Sequence, residues 1–300
     1  MKKFFANGKL LISGEYVVLD GAKSLAVPTK KGQSLIFKES SNQTLNWNSL
    51  DLNSKTWFEV IFSADDLSVI KTSDAEKAQF LQKLLKNAKK LNSNKFNLSG
   101  EVVTKLQFPR NWGFGSSSTL ISCVAQWFEI DAFDLHFSVS NGSGYDVACA
   151  NSKSSIAYTL VDNKPNYSSI KWNPSFKDLL FFVHLNTKQN SFNEVVKYQL
   201  QKNVKKNKAD EITELTDKII CCEDLDDFRH IIETHEKVIS ETIGKPTIKD
   251  RYFDDFNGTI KSLGAWGGDF ILVIGKQKER NYFSKKGFST QLSFNDTIII

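Results

Sequence analysis

Apolar and polar positions alternate from Lys3 to Leu19, with interruptions at Gly8 and Gly14, and the stretch ends at Asp20-Gly21. That period of two predicts an opening strand closed by a hairpin-type turn. Shorter alternating pieces over 34–38, 43–47 and 57–62 predict further strands. The pattern then changes period. Ala78, Leu81, Leu84, Leu85 and Ala88 recur at helical spacing behind the capping residues Ser73 and Asp74, which predicts a helix over 75–91. A strand over 101–108 follows, then a glycine- and serine-bearing loop, then an apolar helix over about 116–129. A second small-residue cluster, Asn141-Gly142-Ser143-Gly144-Tyr145-Asp146-Val147-Ala148, precedes a strand near 155–160.

The segment from Asp162 to Asn173, with Pro165 inside it and Pro174 beyond, changes composition and reads as a boundary between residues 1–165 and 166–300. A very apolar strand over 179–185 comes next, then helices near 190–202, 209–222 and 225–243. A third glycine cluster, Gly264-Ala265-Trp266-Gly267-Gly268-Asp269, leads into a strand over 270–275, a short helix and a final strand ending Ile298-Ile299-Ile300. Grouped strands and grouped helices, without a regular βαβ succession, predict an α+β fold in two parts. There is no internal repeat and no low-complexity segment.

Composition removes several classes of function. The chain has 300 residues, 40% of them hydrophobic, and a mean hydropathy of −0.32, as expected of a soluble globular protein. Thirty-nine basic against 34 acidic residues leave a net charge of +5, which suits a small polyanionic ligand. No long basic stripe or basic segment interleaved with aromatics argues for nucleic acid, and the runs 86–90 and 202–208 read as solvated helix faces. No apolar run approaches the roughly twenty residues of a membrane span. The N-terminus, Lys2-Lys3-Phe4-Phe5 followed by Asn7, Gly8 and Lys9, does not read as a signal peptide. Cys123, Cys149, Cys221 and Cys222 form no CxxC pair or disulfide framework, so reduced thiols and a cytoplasmic location are expected. Histidines at 136, 184, 230 and 235 make no metal-binding spacing.

The chemistry concentrates in Pro109-Arg110-Asn111-Trp112-Gly113-Phe114-Gly115-Ser116-Ser117-Ser118-Thr119-Leu120. A strand, a glycine-bearing loop and a helix start bring backbone N–H groups, hydroxyls and the positive helix end to one place, which can hold an anion. An ordinary serine-capped helix after a tight turn explains the same residues. GxxxxGK[ST], GxGxxG and GxSxG are all absent.

Three separated segments together resemble the GHMP kinases, the group of galactokinase, homoserine kinase, mevalonate kinase and phosphomevalonate kinase. Residues 6–21, ANGKLLISGEYVVLDG, resemble the first motif, APGKLxLxGEYxVL, with Asn7 where proline is usual. Pro109 to Ser118 resemble the second, PxxxGLGSSA, with Phe114 for leucine. Lys261-Ser262-Leu263-Gly264-Ala265-Trp266-Gly267-Gly268-Asp269 resemble the third, KxTGAGGGD, with Leu263 for a hydroxyl residue and Trp266 for glycine. Gly142 to Val147 are similar to the GSGFDV of phosphomevalonate kinases, and 144–148 to a bacterial subgroup named for its GYDIA segment.

The resemblance implies a two-domain GHMP kinase fold, with an N-terminal ribosomal-protein-like α+β domain and a C-terminal ferredoxin-like domain. It implies ATP and Mg²⁺ as cofactors and a small-molecule acceptor, an alcohol or a phosphate monoester of the mevalonate pathway. Residue by residue, Asp146 matches the catalytic aspartate and Lys9 the lysine that stabilises the transferring phosphoryl group. Ser117 matches the Mg²⁺-ligating serine. Pro109, Gly113, Gly115, Ser116 and Ser118 match the triphosphate loop, and Gly264, Gly267 and Gly268 the third motif. His184, Thr187, Lys188, Gln189 and Ser191 follow a strand where relatives have a substrate-contacting loop, or form a loop without chemistry. Mevalonate kinases carry a glutamate eleven residues before the aspartate, and here Leu135 stands there beside Asp134. The departures at 7, 135, 263 and 266 keep open a ligand-binding protein without catalysis, and a diphosphomevalonate-decarboxylase-like enzyme is a further alternative. The oligomeric state, monomer or homodimer, is not encoded in any apolar surface stripe.

Overall fold

A computed structural model describes residues 1–92, 97–187, 191–200, 205–266 and 268–300, the side chains of 191–193 and 205–207 excepted. Lys188, Gln189, Lys202 and Gly267 of the expectations above lie outside the described residues. The chain forms two compact units interleaved in sequence. One comprises 1–8, 31–110 and 114–151; the other comprises 9–30, 111–113 and 152–300. The chain passes between the two units at Lys9, Lys31, Asn111, Phe114 and Ser152.

The first unit is built on β1 (Lys2–Leu11), β2 (Ser24–Glu39), β3 (Thr44–Leu50), β4 (Thr56–Ser63), β5 (Val69–Thr72), α1 (Ala75–Leu91), β6 (Gly100–Leu106), α2 (Ser116–Phe128), α3 (Ala132–Val139) and α4 (Tyr145–Ala150). The sheet order is β5-β4-β3-β6-β2, continued by strands of the second unit, with β1 paired to β2. β3 and β6 run parallel, as a connection long enough to hold β4, β5 and α1 allows, and their neighbours are antiparallel. One face of the sheet is apolar. α1 covers part of it with Ala78, Leu81, Leu84, Leu85 and Ala88, three leucines at roughly 2 kcal/mol each before entropy. Asp74 caps that helix, accepting from the Lys77 N–H at 3.1 Å. Lys86, Lys89 and Lys90 face solvent, as the charge run predicted. Trp47 packs with Trp127 in the core, at 6.4 Å between rings.

The second unit contains β7 (Ser155–Val161), β8 (Lys164–Ile170), β9 (Leu180–His184), α5 (Ser191–Leu200), α6 (Lys205–Cys221), α7 (Leu225–Ile243), α8 (Ile248–Tyr252), β10 (Ile260–Ser262), β11 (Phe270–Ile274), α9 (Gln277–Lys285), β12 (Gln291–Ser293) and α10 (Phe294–Thr297). β7 pairs with residues 24–26 of β2, and β8 pairs with β7. The smaller sheet is antiparallel, in the order β10-β11-β9-β12. Its strands β9 and β11 are buried along their whole length, which explains why they read as continuous apolar runs.

Three local expectations need correction. The opening strand stops at Leu11; Gly14 at φ 88° and Tyr16 at φ 62° turn the chain into a single 3-10 turn over Val17–Asp20. Part of the boundary segment after Asp162 is strand β8, where Pro165 is tolerated because an edge strand spares its missing N–H. The final strand is confined to β12 and stops at Ser293, short of Ile298. Ser293 caps α10 by accepting from Asp296 N–H at 3.1 Å, leaving Ile298 a single bridge to Thr29.

Candidate functional site

The helix start in the first unit has the form an anion site needs. Gly115, at φ 85°, is the N-cap of α2 and, as glycine, brings no side chain to cap the first turn. The amides at the start of a helix have no acceptor within it and carry the positive end of its dipole. The serines divide the work. Ser117 is exposed and Ser116 partly so, whereas Ser118 is buried and donates its hydroxyl back to the Gly115 carbonyl at 2.9 Å. Thr119 donates to Gln33 at 2.7 Å, fixing the helix start to β2. Pro109 is half-buried between the core residue Phe108 and exposed Arg110, whose guanidinium lies 3.9 Å over the Trp57 ring. α4 packs against α2 and α3 through Val147 and its neighbours. Asp146, its second residue, is half-buried, and its Oδ1 accepts from Val147 N–H at 3.1 Å. Gly144, not Asp146, is the N-cap of that helix.

In the second unit, the beginning of the second motif meets the end of the third. His184 Nε2 donates to the Asn111 carbonyl at 3.0 Å, while its Nδ1 accepts from Asn186 N–H at 3.3 Å, which assigns one neutral tautomer. Trp112 meets Phe270 edge-on at 5.4 Å, and His184 lies 5.0 Å from the same ring. Gly113, at φ 64°, is required twice over: by its left-handed backbone and because a Cβ would stand 2.3 Å from Asp269 Oδ2. Asp269 is itself held at φ 57°, its N–H donating to Thr187 at 2.7 Å and its carbonyl accepting from Leu185 at 2.8 Å. Lys9, half-buried, lies on β1. Gly264, at φ 61°, has open space where a Cβ would be, and Gly268 is buried.

A buried ionic cluster joins the first motif to the third. Lys261 donates to Glu15 Oε1 at 2.5 Å, to Glu236 Oε2 at 3.3 Å and to the Ser262 carbonyl at 2.9 Å. Both the Ser262 N–H, at 2.9 Å, and its hydroxyl donate to Glu236 Oε1. Lys261 and Glu15 are fully buried, and Glu236 is nearly so. Two carboxylates share one ammonium. Burial pushes Glu15 up to about 7 against the pull of Lys261, and raises Glu236 for the same reason. His235 lies 3.7 Å from Glu15, yet its Nε2 accepts from Gly14 N–H at 3.2 Å; burial, then repulsion by Lys261, holds it neutral well below the usual imidazole range.

Trp266 is the large departure from the third motif, and it is buried. It packs in an apolar cluster with Tyr16, Tyr198, Ile212 and Ile239, and its N–H donates to the Tyr16 hydroxyl at 3.1 Å. Burial raises that phenol to about 12, and Tyr198 donates to Asp20. Glu236 is absent from the sequence-based expectations, and Lys261 and His235 carry no role in them. A signal existed: His235 and Glu236 fall on the same helix face as Phe228, Ile232, Ile239 and Ile243, where charge needs a buried partner. Among the described residues no cluster of three His, Cys, Asp or Glu side chains could hold a metal, and no helix is long and apolar enough to cross a membrane.

A large mixed sheet with helices on it, and a separate smaller antiparallel sheet, make up the two-domain GHMP kinase fold, here in α+β form. No family model matches the sequence, and no curated protein is similar to it in sequence. The structural neighbours are GHMP-type kinases at low identity. The mevalonate kinase of Methanococcus jannaschii matches at 15% identity and TM-score 0.72, over 100% of this chain and 98% of that one. The Streptococcus pneumoniae phosphomevalonate kinase, in complex with phosphomevalonate and AMPPNP, matches at 16% and 0.72, over 98% and 100%. A Lin0012 protein from Listeria innocua matches at 17% and 0.74, over 97% and 96%.

Proposed function

We propose that the chain is an ATP-dependent phosphotransferase acting on a small alcohol or phosphate monoester, with mevalonate and phosphomevalonate as first candidates. The start of α2 behind the glycine N-cap Gly115 is the observation that carries this reading, because it offers backbone amides and the Ser117 hydroxyl to a phosphate chain in a fold shared with kinases. Oxygen donors of this kind suit Mg²⁺, which keeps few protein ligands beside phosphate and water. Ser117 would hold it there, and the ion would neutralise phosphate charge. Gly113, Ser116 and the helix amides would bind the triphosphate, and Gly264 and Gly268 would shape the loop of the third motif.

Phosphoryl transfer asks the protein for positioning and for charge stabilisation. Asp146 accepts the proton of the acceptor hydroxyl as its oxygen bonds to the γ-phosphorus, and Lys9 stabilises the transferring phosphoryl while the bond to the ADP oxygen breaks. An assay of ADP release with Mg²⁺ and ATP tests this against mevalonate, phosphomevalonate, diphosphomevalonate, homoserine and sugars. Substrate-dependent release that Asp146→Asn lowers by about 10² or more, with nucleotide binding kept, is expected. ATP binding without release across the panel favours the non-catalytic reading, to which the buried Trp266 in place of a loop glycine lends weight. ATP-dependent release of carbon dioxide would instead identify a decarboxylase.

A further inference from the structure

The first unit contains a buried imidazole that none of these roles employs. His136, on α3, is 3% exposed, and among the described residues neither Nδ1 nor Nε2 has a hydrogen-bond partner. A neutral imidazole carries one donor and one acceptor, and leaving both unmet out of water is costly, whereas an aromatic ring of similar shape would incur no such cost. Phe137 meets the ring edge-on at 5.1 Å and supplies nothing polar. The contrast with His184 and His235 is direct, since each of those has a hydrogen bond.

The ring's direction indicates what could meet it. The Nε2–Cε1 edge faces Gly142, where a Cβ would lie 3.6 Å from Nε2 and 3.7 Å from Cε1. Nothing else demands glycine at 142. Its φ is outside the left-handed region, and the nearest atom to that Cβ, Ser140 Oγ, is at an ordinary 3.5 Å. A side chain at 142 would cover the Nε2 edge of the buried ring. The turn over this edge ends at Gly144, at φ 84°, and leads into α4 and Asp146.

We propose that His136 is the polar floor of the acceptor subsite, its Nε2 hydrogen-bonding a carboxylate or phosphate oxygen of the acceptor when the 141–144 turn lifts from the ring. This rests on the kinase reading for what the ligand is, but not for whether it binds. An oxyanion is a stronger partner for an imidazole N–H than a neutral sugar hydroxyl, so the candidate acids are the expected ligands.

The test is long-range ¹⁵N–¹H spectroscopy of the full-length protein, with His136 assigned by its loss in His136→Phe. Mevalonate, phosphomevalonate or galactose is added without nucleotide. The His136 Nε2 resonance shifts with mevalonate or phosphomevalonate and not with galactose. A shift with both marks the carboxylate, and one with phosphomevalonate alone marks the phosphate. No shift with either acid, or an equal shift with galactose, overturns the proposal. His136→Phe keeps or gains thermal stability and leaves nucleotide affinity unchanged, and acceptor binding weakens about tenfold or more, as for losing a charge-assisted hydrogen bond. Gly142→Ala does the same, and His136→Gln recovers part of the loss. Acceptor binding by His136→Phe as tight as wild type also overturns it. A His136 shift in a protein that releases no ADP leaves the subsite standing and removes only the kinase reading.

Discussion

Replacing Lys261 by methionine removes the single cation from the cluster that ties residues 13–16 to 260–262. Methionine fills most of the lysine volume, so the perturbation is electrostatic. Glu15 and Glu236 lose contacts at 2.5 and 3.3 Å and stay buried. Breaking a buried pair by deleting one partner costs about 3–5 kcal/mol when the orphaned group is charged. Protonation limits that cost. Burial already raises folded Glu15 from 4.5 to about 7, so the native state keeps a proton that the unfolded chain releases. Stability therefore falls as pH rises from about 4.5 through 7, by about 3 kcal/mol in all from this group. Without Lys261 both carboxyls rise further, and near pH 5 they sit neutral in the core at small penalty.

The expected loss for Lys261→Met is thus about 1–2 kcal/mol at pH 5, for the hydrogen bonds removed, and about 3–5 kcal/mol at pH 8. Urea unfolding followed by tryptophan fluorescence at the two pH values measures both. The triple variant Glu15→Gln, Glu236→Gln, Lys261→Met carries no charge in the cluster and should lose the pH dependence. A loss for Lys261→Met that agrees at pH 5 and pH 8 to within about 0.5 kcal/mol would refute the electrostatic account.

Gly113→Ala should cost about 2–3 kcal/mol in thermal or urea unfolding, through its left-handed backbone and the Asp269 carboxylate at 2.3 Å. Gly264→Ala shares the backbone term but meets open space, so about 1 kcal/mol is expected; equal losses would remove the Asp269 contact from the explanation. Lys9→Ala should lower kcat by about 10² while nucleotide affinity, read by calorimetry, changes about threefold or less. Burial pushes the Cys123 thiol up to about 12, so a thiol reagent should modify exposed Cys221 at once and Cys123 only as the protein unfolds, as mass spectrometry of timed samples would reveal.

What could be read from the sequence followed from local rules. The helix over 75–91 lies where its leucines and cap placed it, and the serine loop stands between a strand and a helix as its glycines and β-formers indicated. The errors arose where a distant partner outweighed the local pattern. β8 looks like a linker because an edge strand needs neither an apolar face nor every N–H. Ile298-Ile299-Ile300 looks like a strand, yet the capping serine five residues earlier diverts the chain into a helical turn. Glu236 shows on its helix only as a misplaced charge, because the lysine that accounts for it lies 25 residues away.

Trp266 illustrates how the third motif can depart from its pattern without losing its frame. A glycine in such a loop contributes freedom, and an indole contributes contact area. Here the indole is buried among Tyr16, Tyr198 and the aliphatic faces of α6 and α7, and its backbone N–H is held by the Tyr16 hydroxyl. Tyr16 belongs to the first motif and sits at φ 62°, an arrangement that costs about 1–3 kcal/mol unless its surroundings enforce it. The ionic contact through Lys261 and Glu15 joins the same two segments one residue from Tyr16. The two segments are therefore joined by a charge contact and an aromatic one, and the aromatic contact requires Trp266. Side-chain contacts therefore anchor this segment at Trp266, while Gly264 has open space where a Cβ would stand.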